Sequence, residues 1–117
     1  MELERNIQQR ILALYKIKDD LVVVAEQESR LRHFRKSKLA ILKTQCSVEN
    51  DKWSNVKCED YARSHPEYIE VCEGFAEATA KAEGYRWELK VAMQSMELLR
   101  TAEATKRAEM KNLGGLT

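Results

Sequence analysis

Residues 29–45, SRLRHFRKSKLAILKTQ, hold seven basic side chains in seventeen positions, and no acid occurs from Ser29 to Val48. The chemistry such a run supports is anion binding. Arg30, Arg32 and Arg35 carry planar guanidinium groups that suit phosphate oxygens, and Lys36, Lys38 and Lys43 add point charges. At 100° per residue from Arg30, the group Arg32, Arg35, Lys36 and Lys43 falls between about 140° and 240°. Leu31, Phe34, Ile41 and Leu42 fall between about 20° and 120°, so the segment reads as an amphipathic helix with four cations on one ridge. Lys38 lies inside the apolar sector, where it either snorkels outward or marks the edge of a pocket. Cations spaced along a helix can track a phosphate backbone with salt-dependent, weakly sequence-selective affinity. The competing reading is a solvated helix face.

Other reactive residue types form no constellation. His33 sits in the basic run and His65 near a helix start, with no nucleophile or carboxylate at a recognised spacing. Cys46, Cys58 and Cys72 make no CxxC pair and no metal-ligand spacing, which predicts reduced thiols and no metal. No glycine-rich phosphate loop, zinc motif or calcium loop is present. The chain is therefore expected to be neither an enzyme nor the holder of a cofactor. Arg100, Lys106, Arg107 and Lys111 form a second basic element, equally explained by the negative end of a helix dipole. Trp53, Tyr61, Tyr85 and Trp87 are candidates for stacking on unpaired bases or for core packing.

The 117 residues carry a net charge of +1, are 33% charged and 44% hydrophobic, and include four glycines and one proline. That composition argues against disorder and against a turn-rich β-sandwich, leaving a single all-α domain. A polar N-terminus and the lack of any run near the ~20 apolar residues of a membrane span predict a cytoplasmic protein without membrane contact.

The elements follow from periodicity and punctuation. Residues 2–44 contain neither glycine nor proline, and Ile7, Ile11, Leu14, Lys18, Leu21 and Ala25 mark one helical face. A second track, Val24, Leu31, Phe34, Ile41 and Leu42, continues it. One long helix bent near residues 18–20 and two nearly continuous helices both fit. Residues 45–65 read as a connector with a short helix over 55–63. Ser64 and Glu67 predict a capping box, with Pro66 in the first turn of a long helix over 66–111. Gly114 and Gly115 then predict its end, leaving 112–117 as a tail. The expected fold is a long antiparallel helical hairpin, coiled-coil-like, with a short connecting helix.

The last helix carries two apolar tracks. Tyr68, Cys72, Phe75, Thr79, Ala82, Arg86, Leu89, Met93 and Met96 alternate by four and three and would face the N-terminal helix. Ile69, Ala76, Ala80, Trp87, Val91 and Leu98 lie on a second face that needs another neighbour, which predicts a homo-oligomer interface. The alternative is a broken first helix whose halves cover both tracks.

In AEQESRLRHFRKSKLAILK, KCEDYARSHPEYIE and RTAEATKRAEM the chain resembles small helical phage proteins encoded among replication and recombination genes. By architecture it is also similar to the UvsY-like recombination mediators. That resemblance implies a homo-oligomer that binds single-stranded DNA through Arg30, Arg32, Arg35, Lys36, Lys38 and Lys43. It also implies work beside a recombinase, an annealing protein or a single-strand-binding protein in the cytoplasm of an infected bacterium. Two rival expectations are an adaptor or inhibitor of a host or defence protein, and a purely structural helical assembly unit.

Overall fold

A computed structural model describes residues 2–115. The chain is all-α, with helices α1 (Glu2–Glu49), α2 (Asn55–Ser64) and α3 (Pro66–Gly115), and no strand among the described residues. The helical-hairpin class expected from periodicity is the class observed. Contacts divide the chain into two compact units, one joining residues up to Leu21 with those from Gly84 onward, the other comprising Val22–Glu83.

α1 runs unbroken through residues 18–20 and continues to Glu49, five residues beyond the expected end. Asn50 closes it, its backbone amide and its side-chain Nδ2 both donating to the Cys46 carbonyl. α2 starts where Ser54 Oγ accepts from the Lys57 amide, an N-cap that satisfies a first-turn donor. The expected capping box at Ser64 and Glu67 does not form. Ser64 Oγ instead donates back onto the Asp60 and Tyr61 carbonyls, and His65 Nδ1 accepts from the Glu67 amide to cap α3. α3 also passes its expected end and stays helical through Gly115, because no glycine takes a positive φ that would turn the chain. Residues 116 and 117 of the expected tail lie outside the described residues.

In the Val22–Glu83 unit the inward face of α1 runs Val24, Glu28, Leu31, Arg35, Lys38, Leu42 and Cys46. Opposite it, α3 turns Tyr68, Val71, Phe75, Ala78 and Ala82 inward, while α2 contributes Cys58 and Ala62. The most deeply buried side chains, at Cys46, Cys58, Ala62 and Ala82, are small, so the helices meet closely with little bulk between them. In the other unit Ile7, Ile11, Leu14, Ile17 and Leu21 of α1 share the interior with Tyr85, Leu89, Ala92, Met96 and Leu99 of α3. Arg10 of α1 donates to Ser95 Oγ of α3 there.

The inward face of α3 alternates steps of three and four throughout, the heptad seam of packed helices, and α1 departs from it only at Ile11–Leu14–Ile17 and Lys38–Leu42–Cys46. The four-three spacing in the sequence predicts the alternation on α3 in the opposite phase. Tyr68, Phe75, Ala82, Leu89 and Met96 are common to both, but Arg86 and Met93 are exposed and their seam places belong to Tyr85 and Ala92. Lys18 and Ile17 are exchanged in the same way on α1. Phe34 and Ile41 of the expected second track are half-exposed, because a three-four step from Leu31 lands on Arg35 and Lys38. No helix among the described residues is long and apolar enough to cross a membrane.

Candidate nucleic-acid interface

All six cations of the candidate site stand on α1 within the Val22–Glu83 unit, and the backbone sorts them into two sets. Arg30, Arg32 and Lys36 point to solvent. Arg35, Lys38 and Lys43 are partly buried against the other helices.

The outward set is lightly held. Arg30 Nη2 lies 2.6 Å from Glu26 Oε1, one turn earlier, with both side chains well exposed. Exposed pairs of this kind contribute at most about 1 kcal/mol, so an incoming phosphate can replace the carboxylate at small cost. Arg32 Nη2 stands 3.5 Å from Glu28 Oε1, a carboxylate that is itself buried. Lys36 is exposed and has no ion pair among the described residues.

The inward set is engaged in packing. The Arg35 guanidinium carbon sits 4.6 Å from the centre of the Phe75 ring, with that of Arg32 5.7 Å away at the same ring. Lys38 Nζ reaches Glu67 Oε2 at 2.6 Å, which ties α1 to the first turn of α3. The misfit of Lys38 in the apolar sector therefore has a structural explanation: it occupies a seam position and extends to an acid on the facing helix. Lys43 acts on Glu59 of α2, whose carboxyl is held below its usual range chiefly by the Arg63 hydrogen bond and charge, and further by Lys43. The cations thus draw partners from outside their acid-free run.

α2 brings a second feature to the same unit, one that the sequence reading did not assemble. Trp53, Lys57, Tyr61 and His65 recur every fourth residue, the spacing of one helical stripe. Lys57 Nζ lies 4.1 Å from the Trp53 ring centre. Trp53 to Tyr61 and Tyr61 to His65 are each 6.0 Å between ring centres, edge to face. Tyr61 is exposed and Trp53 half-buried, so this ladder presents ring surface and positive charge together. Of the other aromatic candidates, Tyr85 turns inward and Trp87 is exposed in the other unit.

The second basic element is spread thinly. Arg107 is paired with Glu103 one turn earlier, and Arg100, Lys106 and Lys111 are exposed. Among the described residues no group of three or more His, Cys, Asp or Glu is arranged to hold a metal ion. Cys46 and Cys58 are free and buried, and Cys72 is free and half-buried.

The expected oligomer-interface residues are exposed. Ile69, Ala76 and Ala80 lie on the outer face of α3 in one unit, and Trp87, Val91 and Leu98 lie on it in the other. Comparison with known protein families, curated proteins and solved structures finds no match to this chain.

Proposed function

We propose that the protein binds single-stranded DNA as an accessory factor of phage recombination or replication, helping to load a recombinase or annealing protein. The observation that carries this reading is the acid-free stretch of α1 from Ser29 to Val48. Of its outward cations, Arg30 is paired with the exposed Glu26, Arg32 stands 3.5 Å from the buried Glu28, and Lys36 has no ion pair among the described residues. The α2 ladder of Trp53, Lys57, Tyr61 and His65 supports a single-stranded rather than a duplex ligand. Unpaired bases can stack on such rings, and every base has a face to offer. Arg35, Lys38 and Lys43 act in this reading by holding α1 against α2 and α3 rather than by direct contact.

The test is fluorescence anisotropy of labelled single-stranded and duplex oligonucleotides across a salt series. Single strands should bind more tightly, with affinity falling steeply as salt rises. Reversing Arg30, Arg32 and Lys36 to Glu should weaken binding and flatten the salt slope, while Tyr61→Ala should weaken the single strand selectively. An absence of salt-sensitive binding at low ionic strength overturns the proposal and leaves the adaptor reading, which requires a stoichiometric protein complex instead.

A further inference from the structure

In the unit from Gly84 onward, α3 carries a second three-four repeat on the side away from α1. Gly84, Trp87, Val91, Gln94, Leu98 and Thr101 step by three and four and are all exposed. Trp87 is 62% exposed and Leu98 72%, large apolar side chains left in water on an ordered helix. A heptad alternation is the pattern one helix offers another, so this stripe is a seam without its helix.

We propose that this outer seam pairs with the same seam of a second copy of the chain, antiparallel, about a two-fold axis between Val91 and Gln94. The register sets Trp87 on Leu98 of the second copy, Val91 on Gln94 and Gly84 on Thr101, each contact made twice. The seam spans about 26 Å of helix at 1.5 Å per residue.

The flanking charges choose both the occupant and the direction. On one side of the seam Lys90 falls opposite Glu97 of the second copy, twice by symmetry. On the other, Glu88 falls opposite Ser95, so no like charges meet. A parallel arrangement would bring Glu83 against Glu88 of the second copy, also twice, and like charges across a seam are destabilising. Lys90 already lies along the seam edge, its Nζ 5.2 Å from the Trp87 ring centre. The groove along the α1 edge of Trp87 and Val91 is walled by Ala13 and Ile17 of α1 together with Lys16 and Asp20, a wall of mixed apolar and charged character. Gly84 lies at the N-terminal end of the seam, where a Cβ would meet nothing within 4 Å, as is also true of Gly74 and Gly114. At the end of an intermolecular seam, the missing side chain of Gly84 lets a second helix come close.

The proposal does not depend on DNA binding and is tested without DNA. Sedimentation equilibrium of the full chain should give twice the chain mass, and Val91→Glu should raise the dissociation constant roughly a hundredfold or more by placing a charge in the seam. Lys90→Glu and Glu97→Lys should each weaken association roughly tenfold, and the double exchange should restore it, because it rebuilds the same pair with signs reversed. All these sites are exposed in the single chain, so helicity by circular dichroism should be unchanged. A wild-type chain that stays monomeric at its highest soluble concentration assigns the seam to a different partner and overturns the proposal. So does an association that Val91→Glu leaves intact, or a double exchange no tighter than the single ones.

Discussion

Lys38 of α1 and Glu67 of α3 meet at 2.6 Å, a contact between residues 29 positions apart that joins the middle of the basic segment to the start of the closing helix. Lys38 is only 24% exposed, whereas Glu67 is mostly in water. The Lys38 hydrogen bond and charge hold the Glu67 carboxyl below its usual value of 4.5.

That shift fixes the sign of a pH effect. A carboxylate whose folded pKa is depressed stabilises the fold above its unfolded pKa, and the contribution is lost as pH falls through the folded value. Glu59, lowered mainly by Arg63, acts in the same direction. The urea midpoint should therefore be flat near neutrality and fall as the pH drops below 4.5. Glu67→Gln should have a lower midpoint at neutral pH and a shallower acid decline.

Arg35 and Lys36 are adjacent in the chain, yet they should respond differently to truncation. Arg35→Ala removes the guanidinium from the Phe75 face and should cost about 1 kcal/mol in chemical denaturation. Lys36→Ala removes an exposed side chain and should leave stability nearly unchanged. In the oligonucleotide titration the order should reverse, with Lys36→Ala giving the larger loss of affinity.

Thr79 Oγ1 is buried without a hydrogen-bond partner among the described residues. A desolvated hydroxyl left unpaired works against folding, and valine keeps the branched shape without it. Thr79→Val should raise stability by up to about 1 kcal/mol, read as an increase in thermal midpoint. A decrease would show that the hydroxyl has a partner on folding.

The three thiols should separate by reactivity. Cys46 and Cys58 are buried, and burial, followed by the hydrogen bond the Cys46 thiol donates to Cys58, pushes the Cys46 thiol up and suppresses its thiolate. In a chromogenic thiol assay Cys72 should react in the native protein, while Cys46 and Cys58 should wait for urea. Early modification of either buried thiol would mean that α2 opens from α1 far below the unfolding midpoint.

The helices were legible because glycine and proline are nearly absent and apolar residues recur at helical spacing over long stretches. The phase of the seam was harder to read. Thr79 and Ala78, or Met93 and Ala92, differ by one position, and the bulkier side chain of the second pair drew the reading outward. Packing reverses that preference where helix backbones come close, since Ala78 and Ala82 fit between helices that larger residues would hold apart. Partners of the cations were hidden for another reason. Glu67 meets Lys38 only after the chain turns through α2, and no local spacing encodes a contact between residues so distant. The α2 ladder, by contrast, has a plain four-residue signal, obscured by the cap-forming Asn, Asp and Ser residues around it.

Two of the charged side chains in the α1 seam, Arg35 and Lys38, have a consequence for how the helices find each other. A seam of uniform alanine and leucine would permit the two strands of the hairpin to slide by whole heptads with little change in energy. In this chain a slide of one heptad toward the C-terminal end of α3 would carry Lys38 from Glu67 to Gly74 and Arg35 from Phe75 to Ala82. That misaligned state would leave two partly buried charges without their partners, a penalty that an apolar seam lacks. Arg35 and Lys38 thus work as alignment keys, giving up some burial so that the observed alignment of α1 and α3 gives each its partner.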